Sequence, residues 1–204
     1  MRALEHDVRA ATSATSARPN RGRDIPPRYC GWAATLCGRD TPFPFCPADG
    51  AKLGEPGNES GAKCPRCGRT WYHNAAPTAG CVIVRDGKAL VTKRAREPEK
   101  GRYDIPGGFL EHDEDPVSGV KREVKEELSL EIDVTLDDLV HMVPHPYGDD
   151  GDYVLAIGFI ARASQGEPKP DDDVEEVRWV SRAEIDGVDF AWEHDRELVR
   201  KALS

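Results

Sequence analysis

The stretch Pro106-Gly107-Gly108-Phe109-Leu110-Glu111, followed after three residues by Asp115-Pro116 and then by Arg122-Glu123-Val124-Lys125-Glu126-Glu127-Leu128-Ser129-Leu130, decides how the whole chain reads. The glycines end a strand-like segment and permit a sharp turn, because glycine takes positive φ at no steric cost. Asp115 offers a side-chain cap, and Pro116 suits the first helical position, where its missing N–H is no loss. A helix is expected from there to about Leu128. Val117, Val120, Val124 and Leu128 fall within about 80° of one another at 100° per residue, which marks a buried stripe.

Glu126 and Glu127 lie within about 60° of Glu123, on opposite sides of it. Two such charges 4 Å apart repel by about 4 kcal/mol at an effective dielectric of 20. Surface ion pairs return only a few tenths of a kcal/mol. A hard divalent cation, Mg2+ or Mn2+, on the shared face resolves the conflict, while a solvated helix face explains the glutamates taken alone. The preceding glycine turn favours the first reading, since it brings Glu111 and Glu114 towards the start of the helix.

Outward from this centre, Ala79–Arg85 and Lys88–Lys93 read as two strands joined by an Asp86-Gly87 hairpin turn. Further strands are expected near Leu139–Val143, Tyr153–Arg162 and Val174–Val180. A closing helix near Phe190–Leu203 would turn Leu198, Val199 and Ala202 inward. Gly119, inside the first helix, costs about 1 kcal/mol relative to Ala and implies close packing there. The pattern is a mixed α/β domain over residues 77–204.

Upstream, residues 29–76 hold five of the six cysteines and many glycines and prolines. So short a segment needs a metal, a disulfide or a neighbouring domain to keep its shape. Cys46-Pro-Ala-Asp49-Gly50 and Cys64-Pro-Arg-Cys67-Gly68 repeat one pattern, a knuckle that points two ligands inward. Tetrahedral zinc needs four ligands, and three thiolates are in place. Asp49, Cys37 or His73 are the choices for the fourth, and a ribbon that holds its shape without metal is the alternative. Cys81 sits in an apolar strand and reads as a core thiol, whereas Cys30 and Cys37 have no partner pattern. Residues 1–28 carry few large apolar side chains and read as a disordered tail.

The chain has 204 residues, with 28 Lys and Arg against 37 Asp and Glu, for a net charge of −9. That balance disfavours a general nucleic-acid binder, so no DNA partner is expected. The longest apolar run, Tyr153 to Ala161, falls far short of the ~20 residues that cross a bilayer. No membrane partner is expected, and no secretory apolar segment is visible, so a reducing, cytoplasmic setting is the reading.

Gly108, five residues, Glu114, seven residues and Arg122-Glu123-Val124-Lys125-Glu126-Glu127 up to Leu130 resemble the Nudix box, a 23-residue pattern. Arg94 to Glu97, Tyr103 to Phe109 and Glu176 to Val180 are also similar to that family. The resemblance implies a Nudix-type α/β/α sandwich with a mixed sheet. The cysteine segment up to Tyr72 looks like the zinc ribbon that precedes some Nudix domains. Ser129 departs from the pattern, which usually has glycine there; a left-handed conformation at that site would cost roughly 1–2 kcal/mol.

The resemblance further implies a Mg2+- or Mn2+-dependent hydrolase of a nucleoside diphosphate linked to another moiety, with ADP-ribose or a similar small nucleotide as substrate. Glu123, Glu126 and Glu127 then resemble the metal ligands, the Gly107 carbonyl would complete the shell, and Arg122 would orient a glutamate. Arg94, Arg102 and Glu111 are candidates for substrate binding. The general base is a box glutamate or an acid of Asp171–Glu176. Cys46, Asp49, Cys64 and Cys67 would hold one structural zinc. The family includes dimers, so a homodimer is compatible with it. A subgroup with a ribbon acts on NADH and carries a Ser-Gln-Pro-Trp-Pro-Phe-Pro motif after the box, which this chain lacks. The competing reading is a non-catalytic nucleotide sensor whose ribbon contacts protein or RNA.

Overall fold

The computed structural model describes residues 43–54, 61–148, 152–163 and 166–204, the side chains of 162 and 163 excepted. The expected tail, Cys30 and Cys37 lie outside them. The chain forms two compact units that part between Trp71 and Tyr72.

In the first unit, β1 (Gly61–Lys63) and β2 (Thr70–Tyr72) pair into a small sheet. The repeated sequence pattern becomes a repeated backbone. Gly50 N–H donates to the Cys46 carbonyl at 2.8 Å and Gly68 N–H to the Cys64 carbonyl at 3.0 Å. Both glycines have left-handed φ, 70° and 74°. Cys46, Ala51, Leu53, Ala62 and Cys64 are buried, with Phe43 and Trp71 packed against them. That core is small, as a segment of this length dictates.

The second unit is built on a mixed sheet in the order β10-β4-β3-β9-β7. β3 (Ala76–Arg85) and β4 (Lys88–Arg94) form the expected hairpin. Asp86 and Gly87 both have positive φ, 50° and 72°, the geometry that a two-residue hairpin turn demands. β5 (Tyr103–Asp104) adds to β4 and β6 (Gly107–Phe109) to β3. β7 (Ile132–Asp133) and β8 (Leu139–Pro146) both pair with β9 (Tyr153–Ala163), and β10 (Val174–Ser181) closes the far edge. β3 and β9 run parallel from Ala76↔Val154 to Val84↔Arg162. A parallel pair needs a long crossover, which here contains α1 (Pro116–Leu128).

Cys81, Val82 and Ile83 are all fully buried, as expected where both sheet faces are covered. Cys81 and Ile83 join Val120, Val124 and Leu128 of α1 in one core. Val82 joins Leu198 and Val199 of α2 (Glu193–Ala202) in the other. The period-two alternation of β3 thus separates two layers of core, giving the α/β/α sandwich. Burying each α1 valine or leucine contributes roughly 1.5–3 kcal/mol, so a charge at Val124 would undo the helix's docking. Asp115 caps α1 by accepting from the amides of Val117 and Ser118 at 2.9 and 3.1 Å. At the other end Ser129 adopts the left-handed conformation, φ 54°, despite its side chain. Gly119 packs against the Leu110 side chain, which a Cβ would meet at 2.3 Å. No helix among the described residues is long and apolar enough to cross a membrane.

Candidate active site

The two glycines of β6 do different jobs. Gly107 has φ 149°, and a Cβ there would lie 2.3 Å from the Ala79 carbonyl oxygen. Its amide donates to Glu127 Oε2 at 3.0 Å. At Gly108 a Cβ would stand 2.6 Å from the Glu123 carboxylate. Together they let two carboxylates of α1 press against bare backbone, an approach no larger residue allows.

Glu127 is only 6% exposed. Burial raises its pKa well above the usual carboxylate range, and the charges of Asp104, Asp173 and Glu123 add to this, with only the Gly107 amide opposing. Burial also raises Glu123, with Glu126 and Asp173 adding and Arg122 resisting. Arg122 binds three carboxylates at once. Its Nε and Nη2 donate to Glu114 at 2.9 and 2.8 Å, and its Nη1 to Glu123 at 2.8 Å and Glu126 at 3.0 Å. Nη2 also reaches the Phe109 carbonyl at 3.1 Å, which ties the helix to β6. One guanidinium therefore holds the carboxylates in place without neutralising them. Among the described residues, neither Glu127 nor Asp173 has an ion-pair partner. An oxygen-only group with this residual charge fits a hard divalent cation.

Beside it opens a cleft of about 200 Å³, lined by Asp104, Gly107, Gly108 and Asp173 and by a continuous group of rings. Phe109 meets Tyr147 edge-on at 5.4 Å, and Tyr147 stacks on Trp192 at 5.8 Å. His145 lies 5.5 Å from Trp192 and 4.2 Å from His194, with His141 5.7 Å from His194. Burial lowers the pKa of all three histidines, and for His194, with His145 and His141 adding, to about 3. At neutral pH these rings are uncharged. The Arg94 guanidinium sits 4.7 Å from the Trp192 ring centre and donates to Asp104 Oδ2 and the Pro98 carbonyl, both at 2.7 Å. Asp104, buried, is pushed up to about 6 in spite of Thr92 Oγ1 at 2.6 Å and Arg94. The cleft thus joins a polar, acidic region suited to a metal-bound phosphate and a flat, neutral region suited to a base.

Glu127 packs against Gly107 and Glu123 against Gly108, and Arg122 bonds both Glu123 and Glu126, Glu126 being the most exposed of the three glutamates. Arg94 lines the cleft. Arg102 does not; it pairs with Glu99 at 2.6 Å and Asp189 at 3.0 Å. The Glu111 side chain is exposed, and its backbone amide donates to Glu114 Oε2 at 3.1 Å. Within Asp171–Glu176, Asp173 faces the cleft, while Asp172 pairs with Arg96 and Glu175 with Lys93. The segment is tied to α1, because Asp171 N–H donates to the Glu127 carbonyl at 2.9 Å.

Sequence reasoning missed Asp104, Tyr147, His145, Trp192, His194 and Asp195. β8 supplies His141 and His145, and Tyr147 follows directly after its end at Pro146. The cluster of Trp192, His194 and Asp195 at the start of α2 was the available signal.

In the first unit, ligand atoms of Cys46, Asp49, Cys64 and Cys67 all lie within 4.8 Å of one another. The amides of Arg66 and Cys67 point at Cys64 Sγ, both at 3.4 Å. His73 is not in this group; its Nε2 lies 3.2 Å from Asp152. The Cys81 thiol is fully buried, and burial raises its pKa.

Comparison with known proteins matches the NUDIX domain to residues 75–202. An ADP-ribose pyrophosphatase of Methanocaldococcus jannaschii is 36% identical over 111 residues, 54% of this chain and 64% of that protein. An NAD-capped RNA hydrolase of Stutzerimonas stutzeri is 28% identical over 154 residues, 74% of this chain and 53% of that one. The chain therefore spans less than two thirds of the length of either relative. A MutT Nudix hydrolase structure from Burkholderia pseudomallei superposes with a TM-score of 0.55 at 28% identity, covering 64% of this chain and 99% of the other. With its box helix, glycine turn and α/β/α sandwich in this arrangement, the chain belongs to the Nudix family.

Proposed function

We propose that the protein is a divalent-metal-dependent pyrophosphohydrolase acting on a nucleoside diphosphate linked to another moiety, ADP-ribose or a close relative. The observation that carries this reading is the packing of Glu123 and Glu127 against Gly108 and Gly107 beside a cleft lined by neutral rings. Glu123, Glu126, Glu127 and the Gly107 carbonyl would hold Mg2+ or Mn2+. Such an ion neutralises pyrophosphate oxygens and lowers the pKa of an attacking water. The chain's own residues do the rest. Arg122 would hold Glu123 and Glu126 in register, Asp173, which lines the cleft, would take a proton from water, and the rings would exclude solvent around the base. Likeness to the ADP-ribose pyrophosphatase of M. jannaschii supports the substrate class.

The test is a product assay across ADP-ribose, NADH, nucleotide sugars, dinucleoside polyphosphates and oxidised nucleoside triphosphates, with and without Mg2+ or Mn2+. Release of a nucleoside monophosphate only with metal is the expected result. Nucleotide binding without turnover under every condition contradicts hydrolysis and favours a sensor.

The first unit we assign to one structural zinc held by Cys46, Asp49, Cys64 and Cys67. Three thiols and a carboxylate suit zinc in number and softness, and an oxygen ligand makes the site weaker than a four-thiolate one.

A further inference from the structure

Of the three thiols in the first unit's ligand group, Cys67 is the exposed one, and its Sγ lies 3.7 Å from the buried Sγ of Cys46. Both are free thiols, and they stand on different knuckles. We propose that this pair is an oxidation site, where a hydroperoxide joins Cys46 to Cys67 in a disulfide and so releases the zinc assigned to the group. The inference rests on that assignment only for the release of metal.

Geometry selects the pair. Closing 3.7 Å to the ~2.05 Å of an S–S bond asks each sulfur to move by about 0.8 Å, a side-chain adjustment. Cys64, 1% exposed, is engaged elsewhere. Its sulfur accepts from the amides of Arg66 and Cys67, both at 3.4 Å, and lies 3.4 Å from Asp49 Oδ2. An accessible thiol beside a resolving one is the arrangement in which oxidation stops reversibly at a disulfide. Asp49 sharpens the outcome. A fourth thiol would permit two disulfides, whereas a carboxylate cannot be joined this way, so Cys64 is left single.

The step balances with hydrogen peroxide as the oxidant. The Cys67 thiolate attacks one peroxide oxygen, the O–O bond breaks, and hydroxide leaves a sulfenic acid behind. The Cys46 thiolate then attacks Cys67 Sγ, the S–O bond breaks, and a second hydroxide departs. Two thiolates lose two electrons, the peroxide gains them, and each hydroxide takes a proton from solvent. Cys64 and Asp49 alone are too few to keep a tetrahedral ion.

Peptide mapping of the full chain tests this. Trypsin places Cys46, Cys64 and Cys67 in separate fragments, residues 40–52, 64–66 and 67–69. Zinc-loaded protein is treated with hydrogen peroxide beside a chromogenic chelator, alkylated, and digested without reductant. Release of the zinc, fragment 40–52 linked to 67–69, and an alkylated Cys64 are expected, with a thiol reductant reversing the linkage. Linkage through Cys64, sulfinic acid at Cys67 without linkage, three alkylated thiols, or zinc retained after linkage would overturn the inference. Metal-free chain treated alike separates the two claims. A natural chain that takes up no zinc would remove the zinc assignment, while a Cys46–Cys67 linkage in that same chain would keep the oxidation site standing.

Discussion

The amide of Gly107 donates a 3.0 Å hydrogen bond to Glu127 Oε2, twenty residues further along the chain. That bond fixes the helix of acids against the glycine turn, and several measurable consequences follow from it and from the neighbouring contact of Gly108 with Glu123.

Glycine at 108 is required by chemistry more than by folding. In Gly108→Ala the new methyl would meet the movable end of Glu123, whereas in Gly107→Ala it would meet backbone at an unfavourable φ. Gly108→Ala should keep its melting temperature within a few degrees yet lose roughly 100-fold in kcat/KM, since displacements of about 1 Å cost that much. Gly107→Ala should lose stability as well. Thermal unfolding and steady-state kinetics on both variants check this.

Glu127 should weaken the metal-free fold at neutral pH. Its folded pKa is raised, so the cost is absent below the unfolded value near 4.5 and grows as pH rises above it. In chelator-treated protein, Glu127→Gln should match the natural chain at pH 4. At pH 7.5 it should melt higher by at least roughly 2–4 °C, the shift that about 1 kcal/mol produces at this size. Added Mg2+ should raise the melting point of the natural chain and leave that of the variant nearly unchanged.

Ser129 holds a left-handed conformation at the end of α1. Relief of roughly 1–2 kcal/mol of strain in Ser129→Gly is opposed by about 0.5–1 kcal/mol of extra chain entropy. A net gain of roughly 0.5–1 kcal/mol is expected in urea unfolding, with the slope unchanged.

Zinc content tests the first unit. One zinc per chain is expected by elemental analysis. Asp49→Cys should retain it against a chelator longer than the natural chain, and Asp49→Ala for a shorter time. Equal retention in all three would remove Asp49 from the site.

Much of this architecture was legible beforehand. The stripe Val120, Val124 and Leu128, the Asp115 cap and the Asp86-Gly87 turn are local features, set by periodicity and side-chain chemistry within a few residues. The pairing of Arg122 with Glu114 was not readable from helix geometry alone, because it depends on how the turn after Gly108 folds back. Arg94 and Arg102 look alike in sequence, yet only Arg94 lines the cleft, since Asp104 draws it inward while Glu99 and Asp189 hold Arg102 outside. The ring-lined wall joins β8 to the start of α2, residues about 50 apart, and no local pattern announces such a meeting.

The most direct measurement is hydrolysis of ADP-ribose by the natural chain and by Glu126→Gln, with Mg2+ and after chelation. Glu126 is exposed and bonds only Arg122 among the described residues, so the substitution should leave the melting temperature nearly unchanged. AMP and ribose 5-phosphate are expected from the natural chain with Mg2+, and none from the chelated protein or the variant. Full activity in Glu126→Gln, or turnover that survives removal of every divalent ion, would contradict it.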